Sequence, residues 1–331
     1  MADLHLDAQA LDDAATQVLP RLPGLEQLLR LADVGPAVAG WRAALADELG
    51  LRPWSAVAPA RLAAVALPEG AGLHPWFATP VHRVAALDHL RLHPAGLLSL
   101  PAAQLHALAQ DFDRHFGVAG LRLHPLCGGF LLSGFAALGV VAEEPAPHLG
   151  TRLPRALARG EDAAALLRLS GECELWLHDH PVNRARSASG LLPVNGLWLW
   201  GGSADDAPLP GRPELPLQVR VFSDQAYALG LCLLAGGEAM PVPRGLDELL
   251  EPSADAAGSD ALVVLDSTLH SRADAPLARL DRDWFQPALQ ALQQGRLAAL
   301  TVVVAGRRCT LRRWHGLRRW RRLQPWWQQV C

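Results

Sequence analysis

The stretch LHDHPVNRARSASGLLPVNGLWLWGG, residues 177–202, decides how the chain is read. It opens at the end of a helical pattern over 160–180. Pro181 stops that pattern because its ring removes an amide donor and crowds the preceding turn. Gly196 to Trp200 is an apolar run with strand character, and Gly201–Gly202 breaks it. The glycine pair is not a dinucleotide fingerprint, since the GxGxxG spacing is absent.

Downstream, VRVFSD predicts a strand and QAYALGLCLLAG a helix that stops at Gly236–Gly237. DALVVLDS is a continuous apolar strand of the kind buried in a parallel sheet. DRDWFQPALQALQQG predicts a helix capped by Asp281, and LAALTVVVAG the last core strand. The loop 202–216, rich in Asp, Pro and Gly, reads as exposed. This alternation points to an α/β fold, a mostly parallel sheet flanked by helices.

Upstream the pattern changes. DHLRLHPAGLLSL predicts two short strands around a turn at Pro94–Gly96. PAAQLHALAQDFDRHFG predicts a helix that opens at Pro101 and stops at Gly117, and LRLHPLCGGFLLSGF returns to strand character. Together these form a small α+β unit. The first 65 residues read as helical, with Gly35–Pro36 separating two stretches. The expected division is 1–75 as a mainly helical part of the core and 76–180 as an inserted α+β subdomain. Residues 181–331 follow as the α/β core with an Arg/Trp-rich tail.

Half the residues are hydrophobic and 19% are charged, an ordinary globular balance. A formal charge of −3 and a pI near 6.5 argue against whole-molecule attraction to nucleic acid or anionic lipid. Lysine is absent, so arginine supplies all the basic side chains other than histidine. Five scattered cysteines with no CxxC pair argue against a disulfide framework or thiolate zinc site, and predict reduced, mostly buried thiols. The N-terminus carries early acidic residues and no apolar signal region, so a cytoplasmic location and no membrane partner are expected. The apolar run 126–142 is interrupted by five polar or glycine positions and suits a buried strand and turn.

The 177–202 stretch resembles the archaeal-type cofactor-independent phosphoglycerate mutases, where an inserted domain rejoins an alkaline-phosphatase-like core. The residues that carry this resemblance are His180, Pro181, Val182, Asn183, Arg186, Pro193, Asn195, Trp198, Trp200, Gly201 and Gly202. Over nearly the whole chain a closer resemblance is to the RpfE-type regulatory proteins of proteobacteria. These share TPVHRVAALDHLRLHPAGLL, HPVN, the VN-LW-WGG strand and VVLDS. The resemblance implies an alkaline-phosphatase-like α/β fold with a small inserted subdomain and a link to regulation.

Mutase chemistry passes a phosphoryl group through a serine beside two divalent cations, which need several carboxylate or imidazole ligands. The resemblance places the first ligand in a Gly-Asp-Gly turn after a first strand. MADLHLDAQALDDAA offers Asp7, Asp12 and Asp13 without that turn, and no strand is evident before them. The first serine is Ser55. Late ligands are expected after VVLDS, where Asp266, His270 and Asp274 lie four apart and would share one helix face. They are the metal candidates, for Mn or Zn; the leading expectation is no cofactor and a catalytically degenerate protein. The alternative is an active metal-dependent mutase or phosphatase.

His178 and His180, with Asp179 or Glu174, offer a weaker zinc set, against which stands a capping or packing role for His180. Asn183, Arg186, Asn195, Gly201 and Gly202 are candidates for holding a small anionic, phosphorylated metabolite, because a guanidinium suits phosphate or carboxylate. The structural alternative is an Arg186 that fixes the inserted unit. In the tail, Arg318, Arg319, Trp320, Arg321 and Arg322 could close the fold, grip a protein partner, or stack on nucleic acid.

Overall fold

A computed structural model describes residues 2–4, 20–67, 74–137, 139–154, 157–203, 219–251, 260–265, 274–304, 306–318 and 320–330. They fall into two units, one from 1–52, 214–224 and 236–331, the other from 53–213 and 225–235. Both mix helices with β-sheet, so the chain is α/β. The expected border at 180/181 is not where the contacts divide. Strand Gly196–Trp200 is hydrogen-bonded along Trp76–Ala85, so the motif stretch belongs with the upstream elements.

Among the described residues the first unit holds seven strands: β1 (Ala2–Leu4), β2 (Asp33–Ala37), β10 (Val219–Ser223), β11 (Ala239–Met240), β12 (Asp260–Val264), β13 (Ala299–Val304) and β14 (Arg307–Arg312). Their order is β11-β10-β12-β1-β13-β14-β2. The pairings from β11 through β13 are parallel, and β14 runs antiparallel to both β13 and β2. β10, β12 and β13 are the apolar runs that the sequence marks as buried strands. Phe222, Val263, Val302 and Val304 pack in one core with Leu25, Leu28 and Leu29 of helix Pro23–Leu31 and Ala288, Ala291 and Leu292 of helix Gln286–Gln294. The helical residues recur three or four apart, so each helix presents one apolar stripe. Burying each leucine contributes about 1.5–3 kcal/mol.

The first 65 residues are not all helical. Gly35–Pro36 lies inside β2, and a first strand exists, with β1 seated between β12 and β13. Its three residues are too few to show a period, which is why pattern reading missed it. LAALTVVVAG is not the last strand, because β14 follows it. Asp281 does not cap the helix that follows it. Its carboxylate accepts from Gly24 N (3.0 Å) and Leu25 N (2.9 Å), capping helix Pro23–Leu31, which has no side-chain cap of its own.

The second unit holds β3 (Trp76–Ala85), β4 (Leu90–Leu97), β5 (Arg122–Leu126), β6 (Gly129–Ser133), β7 (Val141–Ala142), β8 (Ala158–Arg159) and β9 (Gly196–Trp200). β3 pairs antiparallel with β4 and β6 along one edge and with β9 along the other. The turn expected at Pro94–Gly96 is instead a bulge inside one strand: Val81 pairs with Leu97 but Arg83 with Leu92. Extra residues on β4 absorb the proline, which cannot donate to the ladder. β5 and β6 form a two-residue hairpin at Cys127 and Gly128, both with positive φ (49° and 78°).

β9 is buried at every position, and its alternation sorts the side chains to two faces. Leu197 and Leu199 pack with helices Ala102–Phe116 and Ala163–His178, while Trp198 and Trp200 join Val81, Leu92, Leu149 and Leu153. Among the described residues no helix is long and apolar enough to cross a membrane. Cys173, Cys232 and Cys309 are buried and Cys127 is exposed. Burial pushes the Cys173 thiol up to about 12, so it stays protonated and unreactive.

Candidate functional site

The motif stretch folds as helix Ala163–His178, helix Pro181–Ala188 and β9. Pro181 sits in the first turn of the second helix, where its missing amide costs nothing. His180 is that helix's N-cap: its Nδ1 accepts from Val182 N at 3.1 Å. An accepting Nδ1 places the ring proton on Nε2, which lies 3.3 Å from Asp111 Oδ2 without the alignment of a hydrogen bond. Trp176 Nε1 and Arg114 Nη2 donate to the same Asp111 carboxylate, at 3.1 and 2.6 Å. Burial pushes Asp111 up, but these hydrogen bonds outweigh it and hold the group below the usual carboxylate range.

Burial also lowers the His180 pKa, against the pull of Asp111, from an ordinary 6.5. The folded state therefore binds fewer protons than the unfolded chain as pH falls below that value, and the cap's contribution is lost on acidification. Stability should fall between pH 7 and about pH 5 more steeply in the natural protein than in His180→Asn, which caps without titrating. Thermal melts of both proteins across that range check it; parallel curves would contradict the assignment.

Asn183 lies between Leu177 and Val194. Its Nδ2 donates to Leu177 O and Val194 O, both at 2.7 Å, and its Oδ1 accepts from Val194 N at 2.8 Å. Arg186 donates from Nε to Leu192 O (2.8 Å) and from Nη1 to Gln104 Oε1 (2.7 Å), and it is 6% exposed. Burial lowers its pKa. Asn195 exchanges two hydrogen bonds with the Arg83 backbone, each 2.7 Å, and so extends the β3–β9 ladder. Gly201 O accepts from Ala60 N at 3.0 Å. At Gly202 a Cβ would stand 2.3 Å from the Trp76 indole, so the glycine admits a buried aromatic ring.

Asn183, Arg186 and Asn195 thus gather before the start of β9, Gly201 and Gly202 lie past its other end, and the three polar side chains make these hydrogen bonds to the protein itself. Sequence reading missed Gln104 and Arg83, the partners of Arg186 and Asn195, and Asp111, which faces His180. The Arg83–Glu174 ion pair (2.5 Å) bridges β3 to helix Ala163–His178. No spacing rule links residues so far apart.

His178 is exposed while His180 is buried, so the HxH pair does not converge. Among the described residues no group of three or more His, Cys, Asp or Glu could hold a metal ion. Asp7, Asp266 and His270 lie outside the described residues, as does the Asp274 side chain, although Asp274 opens helix Asp274–Leu280.

The tail is tied to its own unit. Arg318 pairs with Asp33 (2.5 Å) and holds that carboxyl below its usual range; Arg321 donates to Ala32 O (2.7 Å). Arg308 bridges Asp47 and Glu48, both at 2.9 Å. Trp326 is fully buried and donates to Pro20 O. Trp320 is 75% exposed, Arg322 is exposed, and Arg319 lies outside the described residues.

No protein-family model matches the chain. It is 35% identical over 103 residues to the 2,3-bisphosphoglycerate-independent phosphoglycerate mutase of Methanothrix thermoacetophila, covering 29% of this chain and 25% of that one. It is 35% identical over 96 residues to a probable enzyme of the same name from Geobacter sulfurreducens, covering 28% and 24%. The cofactor-independent phosphoglycerate mutase of Thermoplasma acidophilum aligns over 93% of this chain and 88% of its own, with 16% identity and a TM-score of 0.38. A Pyrococcus horikoshii protein aligns with 12% identity and a TM-score of 0.43, over 93% and 85%. The chain spans about a quarter of the length of the curated relatives it matches, and over that part it is similar to the 2,3-bisphosphoglycerate-independent phosphoglycerate mutases.

Proposed function

We propose that this chain is a phosphoglycerate-mutase-like protein of the RpfE regulatory type, with an alkaline-phosphatase-like core, that binds an anionic metabolite or a partner and does not turn phosphoglycerate over. The observation that carries the reading is the place of Ser55. It is the first serine of the chain, and it lies exposed in the short 3-10 helix Arg52–Ala56. A phosphoryl-carrying serine needs cationic charge held against it to stabilise the transferring group. No Gly-Asp-Gly turn accompanies Asp7, and no other serine precedes Ser55. The motif stretch supports the same reading, since its amides and guanidinium serve the fold.

Interconversion of 3- and 2-phosphoglycerate by the full-length protein, with Mn²⁺ or Zn²⁺ supplied, tests this directly. No turnover above the blank is expected. Turnover that disappears in Asp266→Ala would establish the metal-dependent enzyme instead.

A further inference from the structure

In the first unit a cavity of about 880 Å³ is lined by Gln27, Arg30, Gln293, Arg313, Trp314 and Leu317, among others. That volume falls in the range of small-molecule sites, roughly 300–1,000 Å³. Helix Pro23–Leu31 supplies Gln27 and Arg30, helix Gln286–Gln294 supplies Gln293, and the turn after β14 supplies the rest.

The charge in this cavity is one-sided. No carboxylate lines it among the described residues. The neighbouring arginines have acceptors, Arg318 on Asp33 and Arg321 on Ala32 O. Arg30 and Arg313 differ. Neither makes an ion pair among the described residues, and the Arg30 Nε is buried with no acceptor. Two arginines without an ion pair among the described residues line one cavity and make it a candidate anion site, and the planar donor geometry of a guanidinium suits phosphate oxygens.

Trp314 adds a flat surface. Its indole is held by the Arg318 guanidinium, 5.1 Å from the ring centroid, and by the edge-on His315 ring, 3.9 Å away at 85°. The residue nonetheless remains 56% exposed. An exposed indole whose orientation is fixed can stack on a planar ring. Gln27 and Gln293 offer donors and acceptors for that ring's polar edge.

We propose that this cavity binds a phosphorylated small molecule with a flat aromatic ring, the class to which mononucleotides belong, with the phosphate on Arg30 and Arg313 and the ring on Trp314. A nucleic-acid strand fits less well, because tracking a backbone needs a row of free cations, and Arg308, Arg318 and Arg321 are committed to protein acceptors. The proposal deepens the binding reading above by giving it a place and a ligand class.

The test is calorimetric titration of the full-length protein with adenosine 5′-monophosphate, alongside adenosine, inorganic phosphate and an oligothymidine strand. One saturable site per chain is expected, with adenosine and phosphate each weaker by about tenfold or more. Arg313→Ala and Trp314→Ala should each weaken the nucleotide by at least about tenfold, Arg313→Lys should restore part of the loss, and Arg244→Ala should bind as the natural protein does. Absence of saturable nucleotide binding would overturn the proposal. So would equal binding of adenosine, a comparison that needs no variant, or binding that both substitutions leave intact. Tighter, steeply salt-dependent binding of the oligothymidine would overturn it in favour of a nucleic-acid surface. The outcome is separable from the turnover test: an active mutase could bind the nucleotide here, and an inactive chain could fail to.

Discussion

Asn183→Ala is expected to destabilise the protein by about 3 kcal/mol or more, the steepest loss of any motif residue. The side chain is 6% exposed and makes three hydrogen bonds, all to backbone. Leu177 O keeps a second donor, His180 N at 3.2 Å, so its loss is partial. Val194 N and Val194 O lose the asparagine at a position that is fully buried. Each buried group left unpaired costs about 1–3 kcal/mol, and the vacated volume adds to it. Urea unfolding of the two proteins measures the difference. A change under about 1 kcal/mol would show that water or a local shift satisfies Val194, and Asn183 would lose its claim to organise the segment.

Gly230→Ala is expected to cost about 3 kcal/mol or more, although the substitution improves helix propensity by about 1 kcal/mol. Gly230 lies in helix Ala226–Leu234, where a Cβ would stand 1.8 Å from Leu62 O and 2.6 Å from the Leu62 carbonyl carbon. Leu62 belongs to helix Pro59–Ala64, and the small residues Ala60, Ala63 and Ala226 share the same core cluster. The two backbones touch, so a methyl group must drive the helices apart. A melting temperature equal to or above that of the natural protein would mean the helices separate freely. The expected result is a marked fall.

How much of this was legible in the sequence depends on how local the signal was. β9, β10, β12 and helix Ala163–His178 follow runs long enough to show a period, and their place was readable from DALVVLDS, VRVFSD and GLWLW. β1 is not, because three residues carry no period and its ladder partners, Val263 and Val302 to Val304, lie far along the chain. Pro94 and Gly96 signal a turn in isolation, but the neighbouring strand turns them into a bulge. Asp281 reads as a cap for the nearest helix; packing gives it to another helix 256 residues distant in sequence. In the candidate site, His180, Asn183, Arg186 and Asn195 were found as residues, yet their work depends on Gln104, Asp111 and Arg83, which no spacing connects to them. Arg313 and Trp314 stood out only as members of an Arg/Trp-rich tail. What separates them from Arg318 is that no carboxylate among the described residues lines their cavity, a property of three-dimensional placement alone.

The central claim is that the 177–202 motif is an architectural latch and that anion binding lies elsewhere. Arg186→Gln measures this most directly, with melting temperature and the affinity for 3-phosphoglycerate determined on the same preparation. The account predicts a lower melting temperature, from the loss of the bonds to Leu192 O and Gln104, with phosphoglycerate binding the same as in the natural protein. An unchanged melting temperature with phosphoglycerate binding abolished would contradict it.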